Sequence, residues 1–151
     1  MQSYSHPGFQ VSGYRITTTN KDLKSRKDIG GAWAKFRGEN LDKLIQGKTS
    51  DTLYCVYYNY TNTGEIDQKS YDSLIGFETK VDAIQTSKMI TTITIPEQNY
   101  KYVLAKGELP AALVQQWKKI NDMDSNELNR VFGFDMDMYL EDGVCTTVSV
   151  E

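Results

Sequence analysis

One spacing constrains this chain more than any other feature. The pattern Ile29-x3-Trp33-x2-Phe36 returns 84 residues later as Leu113-x3-Trp117-x2-Ile120. In both copies the apolar side chains fall at i, i+4 and i+7, on one face of an amphipathic helix. Strand-like runs follow each copy, so each half reads as one strand–helix–strand–strand unit. A duplicated unit of this kind makes a pseudo-symmetric antiparallel sheet with a cleft between its halves. The expected fold is α+β, a single domain over residues 1–151, with a ligand site in the central cleft.

Bulk properties narrow the partners. A length of 151 residues suits one domain with a real core. The net charge is −3, from 17 basic and 20 acidic side chains, so nucleic acid is not an expected direct partner. The basic cluster Lys21, Lys24, Arg26, Lys27 is interrupted by Asp22 and Asp28 and reads as a solvated helix face. The opening MQSYSHPGFQVSGYR lacks the apolar stretch of a secretory signal, and no run approaches the ~18 apolar residues of a membrane span. A cytoplasmic protein without membrane contact is expected, with Cys55 and Cys145 as free thiols inside strand-like runs.

Along the chain, residues 9–19 (FQVSGYRITTT) read as the first strand. Asn20 is the expected N-cap of a helix running to Gly38, with Gly30 and Gly31 inside it at a cost of about 1 kcal/mol each against Ala. Such a pair signals either a close approach by another backbone or ligand, or a local kink. A short helix around Leu41–Ile45 ends at Gly47, and residues 53–60 and 71–81 form two strands across the polar loop TNTGEIDQKS. In the second half, strands at 89–95 and 100–106 precede a helix with Pro110 in its first turn, and FDMDMYLE and CTTVSVE close the unit around Glu141-Asp142-Gly143. No composition shift marks a domain boundary.

The signatures of catalysis are sparse. The single histidine, His6, lies in a polar N-terminal segment with no group to orient it, so neither a triad nor a His-based metal cluster is expected, and no Gly-rich phosphate loop occurs. No catalytic residue, cofactor or metal is assigned. The exceptions are acids inside strands. In SLIGFETKV, Gly76 and Glu78 share one face, and Gly76 leaves an empty place beside the acid. In FDMDMYL, Phe134, Met136, Met138 and Leu140 make the face expected to pack on the helices, leaving Asp135, Asp137 and Tyr139 on an open face. An acid among tyrosines resembles the aromatic boxes that hold organic cations, where each ring contact contributes roughly 0.5–2 kcal/mol. Such acids are more often solvated, and the tryptophans and Tyr54, Tyr57, Tyr58 and Tyr60 also read as simple packing.

The ordered motifs GYRITTTN, IGGAWAKF, LYCVYYNY, YDSLIGFET, TIPEQNYKYVLAKG, LVQQWKKI and MDMYLEDG resemble the GyrI-like, or AraC-type effector-binding, domain family along nearly the whole chain. The likeness is to stand-alone members, including those carried on integron gene cassettes. It implies two repeats about a pseudo-twofold axis, with a pocket between them for bulky, lipophilic, often cationic compounds. Because the unit takes up all 151 residues, no DNA-binding module is expected. Where the family's late strand often reads Phe-Glu-x-Tyr, this chain has Met136-Asp137-Met138-Tyr139, with an acid one methylene shorter. The family's helix tryptophan falls on Trp33, its GVEV strand on Gly76-Phe77-Glu78-Thr79, and its last-strand acid on Thr146 and Thr147.

The candidate ligand-binding set is therefore Glu78 and Asp137 jointly, with Tyr139, Trp33, Phe36, Tyr57, Tyr58, Tyr71, Gly76 and Trp117. The expected function is non-enzymatic binding of a lipophilic, cationic small molecule by a monomer or homodimer. Two other classes stay open: hydrolysis of small electrophiles with Glu78 or Asp137 activating water, and ligand-dependent partnership with a separate transcription factor.

Overall fold

The computed structural model describes residues 1–61, 69–123 and 125–151; most of the polar loop after the third strand lies outside these. Among the described residues eight strands and three helices follow in the order β1 (Gln2–His6), β2 (Phe9–Thr19), α1 (Lys24–Gly38), β3 (Lys48–Tyr58), β4 (Ser70–Thr79), β5 (Thr91–Ile95), β6 (Gln98–Ala105), α2 (Ala111–Asp122), α3 (Ser125–Leu128), β7 (Asp135–Leu140) and β8 (Gly143–Val150). Single 3-10 turns, Lys21–Leu23 and Leu41–Leu44, flank α1.

All strand pairs are antiparallel, and the sheet order is β1-β6-β8-β7-β3-β4-β2-β5. Exchanging β1–β4 for β5–β8 reverses that order into itself, which is the signature of a pseudo-twofold axis between β3 and β7. The repeat expected from the helix echo is present, and each half gains a leading strand that crosses to the other half. β1 pairs with β6, and β5 pairs with β2. The first of these strands lies in the segment that the sequence offers only as a polar N-terminus; its cross-strand partners Tyr100 and Tyr102 are nearly 100 residues away.

The two sheet faces bury different things. One carries Val11, Tyr54, Val56, Tyr58, Leu74, Ile95, Tyr100 and Met136, with Tyr4, Phe9 and Ile93 packed against them. Tyr4 and Ile95 belong to opposite ends of the sheet, so the sheet curls around this face and fills it with its own side chains. The other face holds the helices. Ala32 and Phe36 of α1 pack on Cys55, Ile75 and Phe77, with Trp33 and Tyr139 beside them, while Ile120 and Trp117 of α2 pack on Val148 and Val150. The helix-covered side of β7 is therefore that of Asp135, Asp137 and Tyr139, opposite to the sequence expectation. The methionine face is equally apolar, but strands cover it. Periodicity separates two faces without saying which receives a helix.

Asn20 does not cap a helix with its side chain; its Oδ1 accepts a 2.6 Å hydrogen bond from the Tyr71 hydroxyl, and α1 begins after Leu23 at a φ of 59°. Gly13 and Gly76 face each other in register across β2 and β4. A Cβ on Gly13 would lie 2.1 Å from the Ile75 carbonyl oxygen, and one on Gly76 2.0 Å from that of Ser12. The space that Gly76 leaves is thus taken by backbone, not left open beside Glu78. Gly31 is the opposite case, with no atom within 4 Å of an added Cβ. Chemical denaturation should separate them: Gly31→Ala gains about 0.5–1 kcal/mol from helix propensity, whereas Gly76→Ala loses several kcal/mol or fails to fold because two backbones must part.

Candidate functional site

The observed ladder between β3 and β7 runs from Leu53↔Tyr139 to Tyr57↔Asp135, and its middle pair is Cys55↔Asp137. Asp137 therefore stands on the pseudo-twofold axis, with side chain toward the helices and no solvent exposure. Edge-on aromatic pairs flank it. Trp33 of α1 meets Tyr139 at 5.1 Å between centroids, and Trp117 of α2 meets Tyr57 at 5.4 Å. Each helix thus lays its repeated tryptophan on a tyrosine of the opposite half, which is what the 84-residue echo encodes.

Three side chains donate to the carboxylate. The Tyr57 hydroxyl reaches Oδ2 at 2.8 Å, the Trp117 indole N–H spans both oxygens at 3.0 Å, and the Thr146 hydroxyl reaches Oδ1 at 2.9 Å. Burial raises the Tyr57 phenol well above its ordinary range, so it stays a donor. Burial also pushes the Asp137 carboxyl up to about 6 from the ordinary 3.8, even though all three donors favour the charged form. Among the described residues no Lys or Arg pairs with it.

Its neighbour Asp135, two residues back on the same face, is treated differently. Arg130 Nη2 lies 2.8 Å away in a buried ion pair, and the Tyr60 hydroxyl and the Ser149 amide and hydroxyl complete the shell. Two buried acids thus lie side by side, one neutralised and one not. Arginines already sit over both tryptophans: Arg37 is 5.2 Å from the Trp33 ring and Arg130 is 5.9 Å from Trp117. Nothing in the sequence spacing signalled Arg130; Asn129 and Phe132, at φ 52° and 51°, turn the chain so that it returns to Asp135.

The structure brings Asp137, Tyr139, Trp33, Tyr57 and Trp117 together, and Tyr71 joins them through Tyr57 at 6.1 Å. Phe36 is buried one helical turn from Trp33, in edge contact at 6.3 Å. Glu78, Gly76 and Tyr58 lie elsewhere. By register Glu78 shares the strand-lined face with Leu74 and Tyr54. Its charge adds to burial in raising the Tyr54 phenol to about 12. Tyr58 packs on that same face against Phe134. The two acids offered jointly by the sequence are thus on opposite sides of the sheet, which leaves Asp137 alone at the aromatic cluster.

An open, curled antiparallel sheet, with two pseudo-symmetric helices over a pair of buried acids on one face, defines the class of duplicated effector-binding domains. The sequence matches the integron-associated effector binding protein family, Cass2, over residues 5–149, and the chain belongs to that family. Among solved structures, an integron cassette protein from the mobile metagenome of Vibrio cholerae superposes with a TM-score of 0.78 at 20% identity, covering 99% of this chain and 95% of its own. The protein SAV2435 bound to tetraphenylphosphonium gives 0.75 at 16% identity, covering 98% and 90%. A putative transcription regulation protein from Staphylococcus aureus gives 0.73 at 14%, covering 99% and 97%. At these identities the likeness shows the fold. No curated protein matches the chain by sequence.

Two outcomes check the site's electrostatics. Unfolded, Asp137 titrates near 3.8; folded, it titrates near 6, so between those values the folded state holds more protons and stability falls as pH rises. The stability of the wild type relative to Asp137→Asn should therefore drop by about 3 kcal/mol between about pH 4 and pH 7 and stay level above that. Arg130→Ala strands the Asp135 charge and should lose about 3–5 kcal/mol at neutral pH, readable by urea titration.

Proposed function

We propose that this chain binds lipophilic organic cations, with Asp137 as the counter-charge and Trp33, Tyr57, Trp117 and Tyr139 as the aromatic walls. The observation that carries this reading is the uncompensated carboxylate on the pseudo-twofold axis between two Trp–Tyr pairs. A buried acid without a cationic partner costs stability, and a bound cation removes that cost. The rings add quadrupole attraction, already exercised on Arg37 and Arg130. The reading is supported by a protein of the same fold, SAV2435, which holds tetraphenylphosphonium.

The indole of Trp117 and the phenol of Tyr57 cover the carboxylate. A ligand must displace the Trp117 N–H that bridges both oxygens. Helix α2 suits that role, since Ile120 is its one fully buried residue, whereas α1 is anchored by Ala32 and Phe36. Leu109 and Val114 at its start are half exposed. Affinity comes from apolar burial and one charge, so many shapes fit and a dissociation constant near 1 μM, about −8 kcal/mol, is the expected scale.

Calorimetric titration with tetraphenylphosphonium, and with the isosteric anion tetraphenylborate, tests the reading. Binding of the cation should weaken about tenfold for each pH unit below about 6, because the neutral acid must first release its proton, and should level off above 7. Asp137→Asn should lose at least tenfold and Glu78→Gln less than twofold. Equal binding of anion and cation would sink the counter-charge role. Loss in Glu78→Gln alone would move the ligand to the other face of the sheet.

A further inference from the structure

We propose that the groove between α1 and the unpaired edge of β2 docks an extended acidic peptide segment of a partner protein, which adds to the sheet as a further strand. β2 is eleven residues long, but β5 pairs only with Phe9–Gly13. From Tyr14 to Thr19 no described strand lies on that side. In an antiparallel ladder alternate residues turn N–H and C=O toward each neighbour, so this six-residue overhang presents open backbone groups. It contains no proline and no bulge against β4. The pseudo-twofold counterpart is shorter: β1 covers β6 over Gln98–Tyr102 and leaves only Val103–Ala105.

Alongside the overhang runs a groove of about 460 Å³, walled by Tyr14, Ile16 and Thr17 of the strand and by Lys24, Lys27 and Gly31 of α1. One helix glycine finds its use here. Gly31 has no atom of another element within 4 Å of the place a Cβ would take, so it serves no packing inside the chain. It keeps the wall low enough for another backbone to approach. The charge of the groove is positive on balance. Asp28 is engaged by Lys24 at 2.6 Å and by the Thr18 hydroxyl at 2.8 Å, Lys27 is exposed and makes no ion pair among the described residues, and Lys35 lies over the Tyr14 ring at 5.5 Å. An open strand edge selects an extended chain, and lysines along one wall select acidic side chains on it. The groove is separate from the aromatic cluster, because Trp33 leaves α1 toward Tyr139.

Fluorescence anisotropy on the whole chain tests this with ten-residue peptides carrying Glu at every second position and Val, Thr or Leu between. Saturable binding is expected for at least one of them, with amide shifts at residues 14–19 by NMR. Lys27→Glu and Gly31→Leu should each weaken it at least tenfold while melting as cooperatively as the wild type. Peptides with Lys in place of Glu, or with Pro at two central positions, should not bind. The proposal fails if no acidic peptide binds, or if the Pro-containing peptide binds equally well. It fails equally if neither substitution changes affinity, or if phosphatidylglycerol vesicles and not peptides bind through Lys27. A Gly31→Leu protein that fails to melt cooperatively is replaced by Gly31→Gln, under the same expectation.

Discussion

The structure depends on the burial of one carboxylate without a counter-ion. Asp137 sits where the two halves of the sheet meet, and its three donors come from β3, β8 and α2. The helix face of the sheet is organised around satisfying it. Three hydrogen bonds are not enough, since burial still lifts its pKa to about 6. The contrast with Asp135 shows how cheaply the chain could have neutralised it. One arginine and a turn suffice two residues away, so the missing partner at Asp137 is a feature of the position and not of the neighbourhood.

Pseudo-symmetry explains the placement. A twofold axis through an antiparallel ladder passes through one residue pair, and here the pair is Cys55 and Asp137. Every surrounding element occurs twice, Trp33 with Tyr139 and Trp117 with Tyr57. At the axis the two Trp–Tyr pairs, one carried by each helix, thus flank a single group. At its centre the duplication has diverged: a thiol in one half, raised by burial to about 12 and so inert near neutrality, and a carboxylate in the other.

Much of this was legible in the chain because the helix echo is a long, strongly periodic signal. It places Trp33 and Trp117 as equivalents, and the alternation in FDMDMYL sets Asp137 and Tyr139 on one face together. What the sequence could not carry is information that exists only between distant strands. Which face of β7 the helices cover depends on the curl of the whole sheet, and both faces are apolar enough to be buried. Glu78 and Asp137 separate because β3 stands between their strands and fixes their register: Gly76 is opposite Tyr54 and Asp137 is opposite Cys55. Gly76 read as a vacancy because a missing side chain looks the same in a sequence whether a ligand or a backbone fills the space.

The same geometry weighs binding against catalysis. A carboxyl titrating near 6 has the basicity that a general base needs around neutral pH. Basicity is not access, however. Both oxygens of Asp137 accept hydrogen bonds from neighbouring side chains, and no part of the residue meets solvent. To activate water, the acid would have to lose the Trp117 and Tyr57 donors, keep its charge, and admit a water in line with a substrate. To hold a cation it needs only the first of these steps, and the incoming charge itself supplies the second. On the function proposed above, a bound positive charge would stabilise the carboxylate directly, with no water or nucleophile to place, and that is the argument for a cation receptor ahead of a hydrolase.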